Sequence, residues 1–174
     1  MNLSNIKFAA FDFDDTLAMH RDKNYVAHRK VIGEDSYFRV AYLCPDEFYE
    51  KIEPCTAPIE MQNFICYLRA LGLVDLYCVS GMKHTLHFKA KEVFIHKHYG
   101  LDMELIAAGS QEGKVEVLKV LQNVHGCRAD EVLFVDDRQT TVDLLCKQGF
   151  NAILASDVPM LSPDHVSFTS LMND

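Results

Sequence analysis

Asp12 and Asp14 stand one residue apart in the string FAAFDFDDTL, Phe8 to Leu17, where an apolar run gives way to Asp15, Thr16 and Leu17. On a strand, alternate side chains point to the same side, so these two carboxylates leave the strand's end together. Acids buried there without a partner would be costly. The pattern makes sense if a metal cation or a phosphoryl group binds between them. The plainer alternative is a strand end followed by an Asp/Thr helix cap.

Three later features favour chemistry over capping. LVDLYCVSGM, Leu73 to Met82, is a second apolar run and ends on the hydroxyl of Ser80, followed by Gly81. Lys114 opens an amphipathic segment directly after ELIAAGSQEG. EVLFVDDRQT, Glu131 to Thr140, is a third apolar run, and it ends on the adjacent acids Asp136 and Asp137. The order is therefore acid pair, Ser, Lys, acid pair, and all but the Lys stand at a strand's carboxyl end. Ligands of open α/β sheets bind at those ends.

Elements that can position these groups follow from periodicity. Strands are expected at about 6–12, 73–79, 103–108, 131–135 and 151–154. Between them come four helices. The first, about 58–71, has Met61, Phe64, Ile65, Leu68 and Leu71 at helical spacing, with Pro58 at its start and Gly72 at its end. A second, about 83–97, buries Leu86, Ala90, Val93 and Phe94; a third, about 112–124, presents Val117, Leu118, Leu121 and Val124; the fourth is about 139–148. Strands alternating with helices imply an α/β, Rossmann-like three-layer sandwich with a mainly parallel sheet. The tail after Ser156, with Pro159 and Pro163, reads as a surface segment.

With its four segments in this order, the chain resembles the haloacid dehalogenase superfamily of phosphotransferases. That family's motifs are hydrophobic-DxDx(T/V), hydrophobic-(S/T), a Lys and hydrophobic-DD or GD. The resemblance covers nearly the whole chain and implies a five-stranded sheet of order 5-4-1-2-3, with a small insertion after strand one. It implies a Mg²⁺-dependent phosphomonoester hydrolase in which Asp12 is the nucleophile that forms an aspartyl-phosphate. Asp14 matches the acid/base, and dehalogenating members lack an acid at that position. The metal would take Asp12, the backbone carbonyl of Asp14 and an acid of the fourth motif. Aligned with the GD form, Asp137 is the expected direct ligand and Asp136 the outer partner. Ser80, the Gly81 amide and Lys114 would hold the transferring phosphoryl group. Thr16 would tie down the loop around Asp14. Lys119 competes with Lys114, but Lys114 lies nearer the expected strand end, and Lys83 follows Ser80 too closely to replace it.

Composition bounds the partners. With 174 residues, 49% of them hydrophobic, the chain can bury one core and is expected to be a single domain, 1–174. A formal net charge of −8 and a pI of about 5.4 argue against general attraction to nucleic acid or anionic membrane. No run approaches the ~18 apolar residues that would span a bilayer, and the N-terminus lacks a signal-peptide pattern. The six scattered cysteines (44, 55, 66, 78, 127 and 146) contain no CxxC pair and read as reduced thiols of a cytoplasmic protein.

Other features read as bland. His84, His87, Lys91 and His98 share a face of the helix at 83–97. His87 and His98 are about 16 Å apart along such a helix and cannot share one ion. The face reads as solvated and polar. Arg138 reads as a helix-start charge.

Substrate choice is expected to lie in residues 18–57, a cap or flap insertion of about 40 residues that begins directly after Asp14's loop. It contains the aromatics Tyr25, Tyr37, Phe38, Tyr42, Phe48 and Tyr49 and a basic cluster of His20, Arg21, Lys23, His28, Arg29 and Lys30. The cluster can hold an anionic part of a substrate or simply face water. A small phosphorylated metabolite is the expected substrate. A phosphorylated macromolecule, or an idle binding domain of the same fold, is the alternative. A bacterial receiver-like module is disfavoured by motif order, because a receiver begins with its acid pair and carries its phosphate-accepting Asp on a later strand.

Overall fold

β1 (Phe8–Phe11) is buried along its whole length, as a four-residue apolar run at the centre of a parallel sheet must be. The structure, a computed structural model, describes residues 3–20, 31, 33, 47–49, 55–73, 75–82 and 86–161. Most of the 18–57 segment, including Arg21, Lys23, Tyr25, His28, Arg29, Lys30, Tyr37, Phe38, Tyr42 and Cys44, lies outside the described residues, as do Lys83 and His84.

β1 is flanked by β4 (Leu76–Ser80) on one side and β6 (Val132–Asp136) on the other. β5 (Met103–Ala107) extends the sheet beyond β4, and β7 (Asn151–Leu154) extends it beyond β6. All pairings are parallel, and the order β5-β4-β1-β6-β7 is the expected 5-4-1-2-3 once the five main strands are counted alone. β2 (Met19–His20) and β3 (Cys55–Thr56) form a separate antiparallel pair at the two ends of the insertion.

Alternation along β1 assigns the layers. Ala9 and Phe11 join the core beneath α1 (Ile59–Ala70) and α2 (Leu86–Tyr99). Phe8 and Ala10 join the core beneath α3 (Gln111–His125) and α4 (Gln139–Lys147). Two helices on each face of the sheet make the three-layer sandwich, and each helix contributes its apolar stripe.

The expected stripes hold except near helix ends and on α2. In α1, Met61, Phe64, Ile65 and Leu68 are buried, but Leu71 is exposed because it caps the helix, after which Gly72 turns the chain at φ +86°. In α3, Leu118 and Leu121 are buried together with Val115, whereas Val117 is only partly buried. Val124 is 75% exposed, because His125 takes the core-facing place in the last turn by stacking on Phe8 at 4.8 Å. Val93 of α2 is 52% exposed, and the reason bears on the site. Nor does the tail leave the body directly after Ser156: Val158, at the start of a short last helix (Val158–Leu161), is fully buried in the core that holds α1.

Candidate active site

Sheet register brings the acids together. Phe11 pairs with Val135 of β6, so the next residue of each strand, Asp12 and Asp136, leave the sheet side by side; the Asp12 amide donates to the Val135 carbonyl at 2.8 Å. On the other side Phe11 pairs with Cys78, and β4 runs two residues further to Ser80. Ser80 is held by its carbonyl, which accepts from the amides of Met82 and Ala108, both at 2.9 Å. The three central strands thus deliver Asp12, Asp136 and Ser80 to one edge, all three buried. Gly81 stands next to Ser80 but is exposed.

After Asp12 the chain makes a tight turn. Amides of Thr16, Leu17 and Ala18 all donate to the Phe13 carbonyl, and Asp15 adopts a left-handed φ of 59°, which Asp tolerates better than most residues. The Thr16 hydroxyl does not tie this loop down as expected: it is buried and has no hydrogen-bond partner among the described residues, so its amide, not its side chain, closes the turn. The clamp comes instead from α2, where the Tyr99 hydroxyl donates to the Leu17 carbonyl at 2.6 Å.

Lys114 reaches the acids from α3. Its position depends on the helix start: Ser110 caps the helix by accepting from the Gly113 amide at 3.1 Å. A Cβ on Gly113 would lie 1.8 Å from the Ala108 carbonyl oxygen, so only glycine lets the helix begin this close to β5. The buried Lys114 ammonium then donates to Asp136 at 2.7 Å and pairs with Asp12 at 2.8 Å. Burial alone would lower its pKa, but the two carboxylates outweigh that and raise it, so it stays an ammonium. Lys119, the competitor, is half-exposed and pairs with Glu116 on the helix surface.

The acids are more numerous than this one cation can serve. Burial, and then the neighbouring Asp136 and Asp14 carboxylates, push Asp12 up despite Lys114. Asp136 accepts from Lys114 with one oxygen and from the Arg138 amide, at 2.9 Å, with the other. Asp137 differs. Its Oδ1 is buried with no hydrogen-bond partner among the described residues, and burial followed by Asp12, Asp136 and Asp15 pushes its pKa up to about 7. Oxygens of Asp12, Asp136 and Asp137 lie within 4.8 Å of one another. An all-carboxylate set with a buried, unserved oxygen fits a hard divalent cation.

The opposite side of the site holds a residue that the sequence reading assigned to solvent. Lys91 of α2 is 1% exposed, and its ammonium donates to Asp14 Oδ2 at 2.6 Å and to Ser80 Oγ at 2.8 Å. It lies 4.6 Å from the centre of the Phe13 ring and 6.0 Å from that of Tyr49. His87, one turn earlier, is also buried. The polar stripe of α2 is therefore its inner face, and Val93, about 200° round the helix from Lys91, faces out. The signal was present: Lys91 shares its stripe with Phe94, a core position. Two insertion residues, Phe48 and Tyr49, are buried against this corner, with Tyr49 edge-on to Phe13 at 5.4 Å.

No family model and no curated protein matches this sequence. Solved structures do match the fold. A haloacid dehalogenase-like hydrolase from Bacteroides fragilis superposes with a TM-score of 0.55 at 15% identity, covering 84% of this chain and 86% of that one. A HAD-family enzyme from Bacteroides thetaiotaomicron, solved with magnesium and inorganic phosphate, gives 0.53 at 15% identity over 86% of this chain and 93% of its own. An apo phosphoserine phosphatase gives 0.50 at 18% identity over 86% of each chain. The chain has the haloacid dehalogenase-like fold.

Proposed function

We propose that this chain is a Mg²⁺-dependent phosphomonoester hydrolase that works through an aspartyl-phosphate on Asp12. One observation carries the reading: the Asp12 carboxylate leaves the central strand beside Asp136 and Asp137, with oxygens of all three within 4.8 Å of one another and a buried lysine bonded to Asp12. The same fold holds magnesium and inorganic phosphate in the solved enzyme from Bacteroides thetaiotaomicron.

Asp12 and Asp137, with the Asp14 backbone carbonyl, would hold the ion. Asp136 is the outer partner, because both of its oxygens already accept hydrogen bonds. When bound, the ion supplies charge neutralisation, letting a carboxylate approach a phosphate dianion. In the first transfer an Asp12 oxygen attacks phosphorus, the ester P–O bond breaks and Asp14 gives its proton to the departing oxygen. In the second, Asp14 takes a proton from water, the water oxygen attacks phosphorus and the bond to Asp12 breaks, releasing phosphate. Lys114 holds Asp12 in place and offsets charge, while the Ser80 hydroxyl and the Gly81 amide bind phosphoryl oxygens.

The chain works as one unit, 1–174, in which residues 18–57 form a small lid that sets substrate choice. Burial of Phe48 and Tyr49 beside Phe13 supports this, since Phe13 lies between the two catalytic acids. A small lid would leave the mouth fairly open, and the formal net charge of −8 would suit a small phosphorylated metabolite better than a macromolecule. The test is Mg²⁺-dependent release of phosphate from p-nitrophenyl phosphate, followed by a panel of nucleotides, sugar phosphates and phosphorylated peptides. Asp12→Asn should abolish release while the protein stays folded; substantial turnover by that variant would move the nucleophile elsewhere.

A further inference from the structure

We propose that Lys91 is the positioning residue of this site, fixing the acid/base carboxylate of Asp14 and the phosphate-binding hydroxyl of Ser80 in a single frame. The assignment rests on the phosphatase reading above. Its physical basis is that a lysine is almost never buried unless it is paired, so its partners identify its task. Lys91 is 1% exposed and spends two of its three N–H donors on Asp14 and Ser80, 2.6 and 2.8 Å away. Lys114 holds a different pair, Asp12 and Asp136. The two ammoniums thus divide the site: one serves the nucleophile's side, the other the proton-transfer side.

Both contacts of Lys91 have directional consequences. An ammonium has donors only, so Ser80 Oγ must accept from it, and the hydroxyl proton of Ser80 is turned away from Lys91 toward another acceptor. A phosphoryl oxygen bound at the strand ends is such an acceptor. On Asp14, a short charge-assisted bond to Oδ2 fixes the plane of the carboxyl group, which must present an oxygen to the leaving group. The Phe13 ring 4.6 Å from the ammonium and the buried Tyr49 keep this corner free of competing water. The bonds of Lys91 to Asp14 and Ser80 are what give it a role, so it would act through those two groups.

Leaving-group dependence separates this role from a structural one. A p-nitrophenolate leaves readily without a proton, whereas phenolate gains much more from one. Turnover of a series of substituted phenyl phosphates should therefore fall more steeply with leaving-group basicity in Lys91→Met than in the wild type. The expected loss is roughly 100-fold on phenyl phosphate and about 10-fold or less on p-nitrophenyl phosphate, the range of general acid catalysis. Asp14→Asn should steepen the series similarly, and the double variant should be no steeper than either single one. An equal loss across the series, or full additivity with Asp14→Asn, overturns the positioning role. If both Lys91→Met and Lys91→Gln lose the cooperative melt of the wild type, Lys91 supports the fold rather than Asp14, and the proposal also falls. Wild-type protein that cleaves no member of the series with Mg²⁺ overturns the phosphatase reading itself, and Lys91's role with it.

Discussion

Protons and Mg²⁺ should compete for Asp137. Burial and the carboxylates of Asp12, Asp136 and Asp15 push its pKa up to about 7, and its Oδ1 has no hydrogen-bond partner among the described residues. A cation that binds the ionised carboxylate must displace the proton. With a pKa of about 7, roughly nine molecules in ten carry that proton at about pH 6 and roughly one in ten at about pH 8. Mg²⁺ should therefore bind about 10-fold more weakly at the lower pH, a difference of about 1.4 kcal/mol. Calorimetry in buffers of different ionisation enthalpy gives the protons released per ion, which should fall from about one to about zero across this range. Asp137→Asn should bind Mg²⁺ weakly at both pH values with little proton release. Equal wild-type affinity at both, with no protons released, would refute the reasoning. The same group acts on metal-free stability: an unfolded Asp ionises near 3.8, whereas native Asp137 still holds its proton there. Its contribution is favourable below about pH 4 and is lost as pH rises through about 7. Melts in EDTA should accordingly show this contribution as a fall between mildly acidic and neutral pH, and added Mg²⁺ should restore stability at neutral pH.

Asp137→Ala should weaken Mg²⁺ more than Asp136→Ala, because Asp136 is already occupied by Lys114 and the Arg138 amide; calorimetry of the pair decides it. Tyr99→Phe removes the hydrogen bond from α2 to the Leu17 carbonyl and should cost about 1–3 kcal/mol in denaturant unfolding, with slower turnover as the Asp14 loop loosens. Thr16→Val replaces a buried hydroxyl that has no partner among the described residues by a methyl of the same shape, and should be neutral or stabilising by up to about 1 kcal/mol. Gly113→Ala drives a Cβ into the Ala108 carbonyl and should destabilise by about 1–3 kcal/mol through overpacking, while lowering turnover because Lys114 shifts with the helix start.

Much of the fold was legible because local signals agree with tertiary demands. The apolar runs 8–11, 76–80 and 132–136 are too short for helices and end on polar residues, so their strand character and their shared carboxyl-end edge followed from pattern alone. The acids and Ser80 were legible for the same reason. Helix faces were read less well where polar residues are buried. Lys91 and His87 looked like a solvated stripe because a single sequence shows the type of a residue and not its partners. Lys91's partners, Asp14 and Ser80, lie 77 and 11 positions away. The Tyr99 clamp was invisible on the same grounds, since it joins residues 82 apart. The need for glycine at 113 shows only in the fold, where the Ala108 carbonyl lies against it.

Charge balance explains why the site has this composition. Lys114 already pairs with Asp12 and Asp136, and Lys91 bonds Asp14 and Ser80, so the positive charge of each ammonium is offset by carboxylates before an anion arrives. Four carboxylates against two ammoniums already leave the pocket negative once Asp137 ionises. A phosphate dianion would deepen that excess in surroundings where water is too scarce to screen it. Removing a carboxylate would mend the balance but would forfeit a group that the proposed mechanism uses as nucleophile, acid/base or ligand. A third lysine could pair with Asp137, but it would take up the buried oxygen that a metal would use. A divalent cation among Asp12, Asp136 and Asp137 resolves the conflict, because it neutralises the acids only when bound and releases the Asp137 proton as it arrives. On this argument substrate and metal should bind cooperatively. Inorganic phosphate should bind measurably with Mg²⁺ present and at least about 10-fold more weakly in EDTA, in line with the coupling expected between linked sites. Equal phosphate affinity in both conditions would mean that the lysines alone suffice and that the charge argument fails.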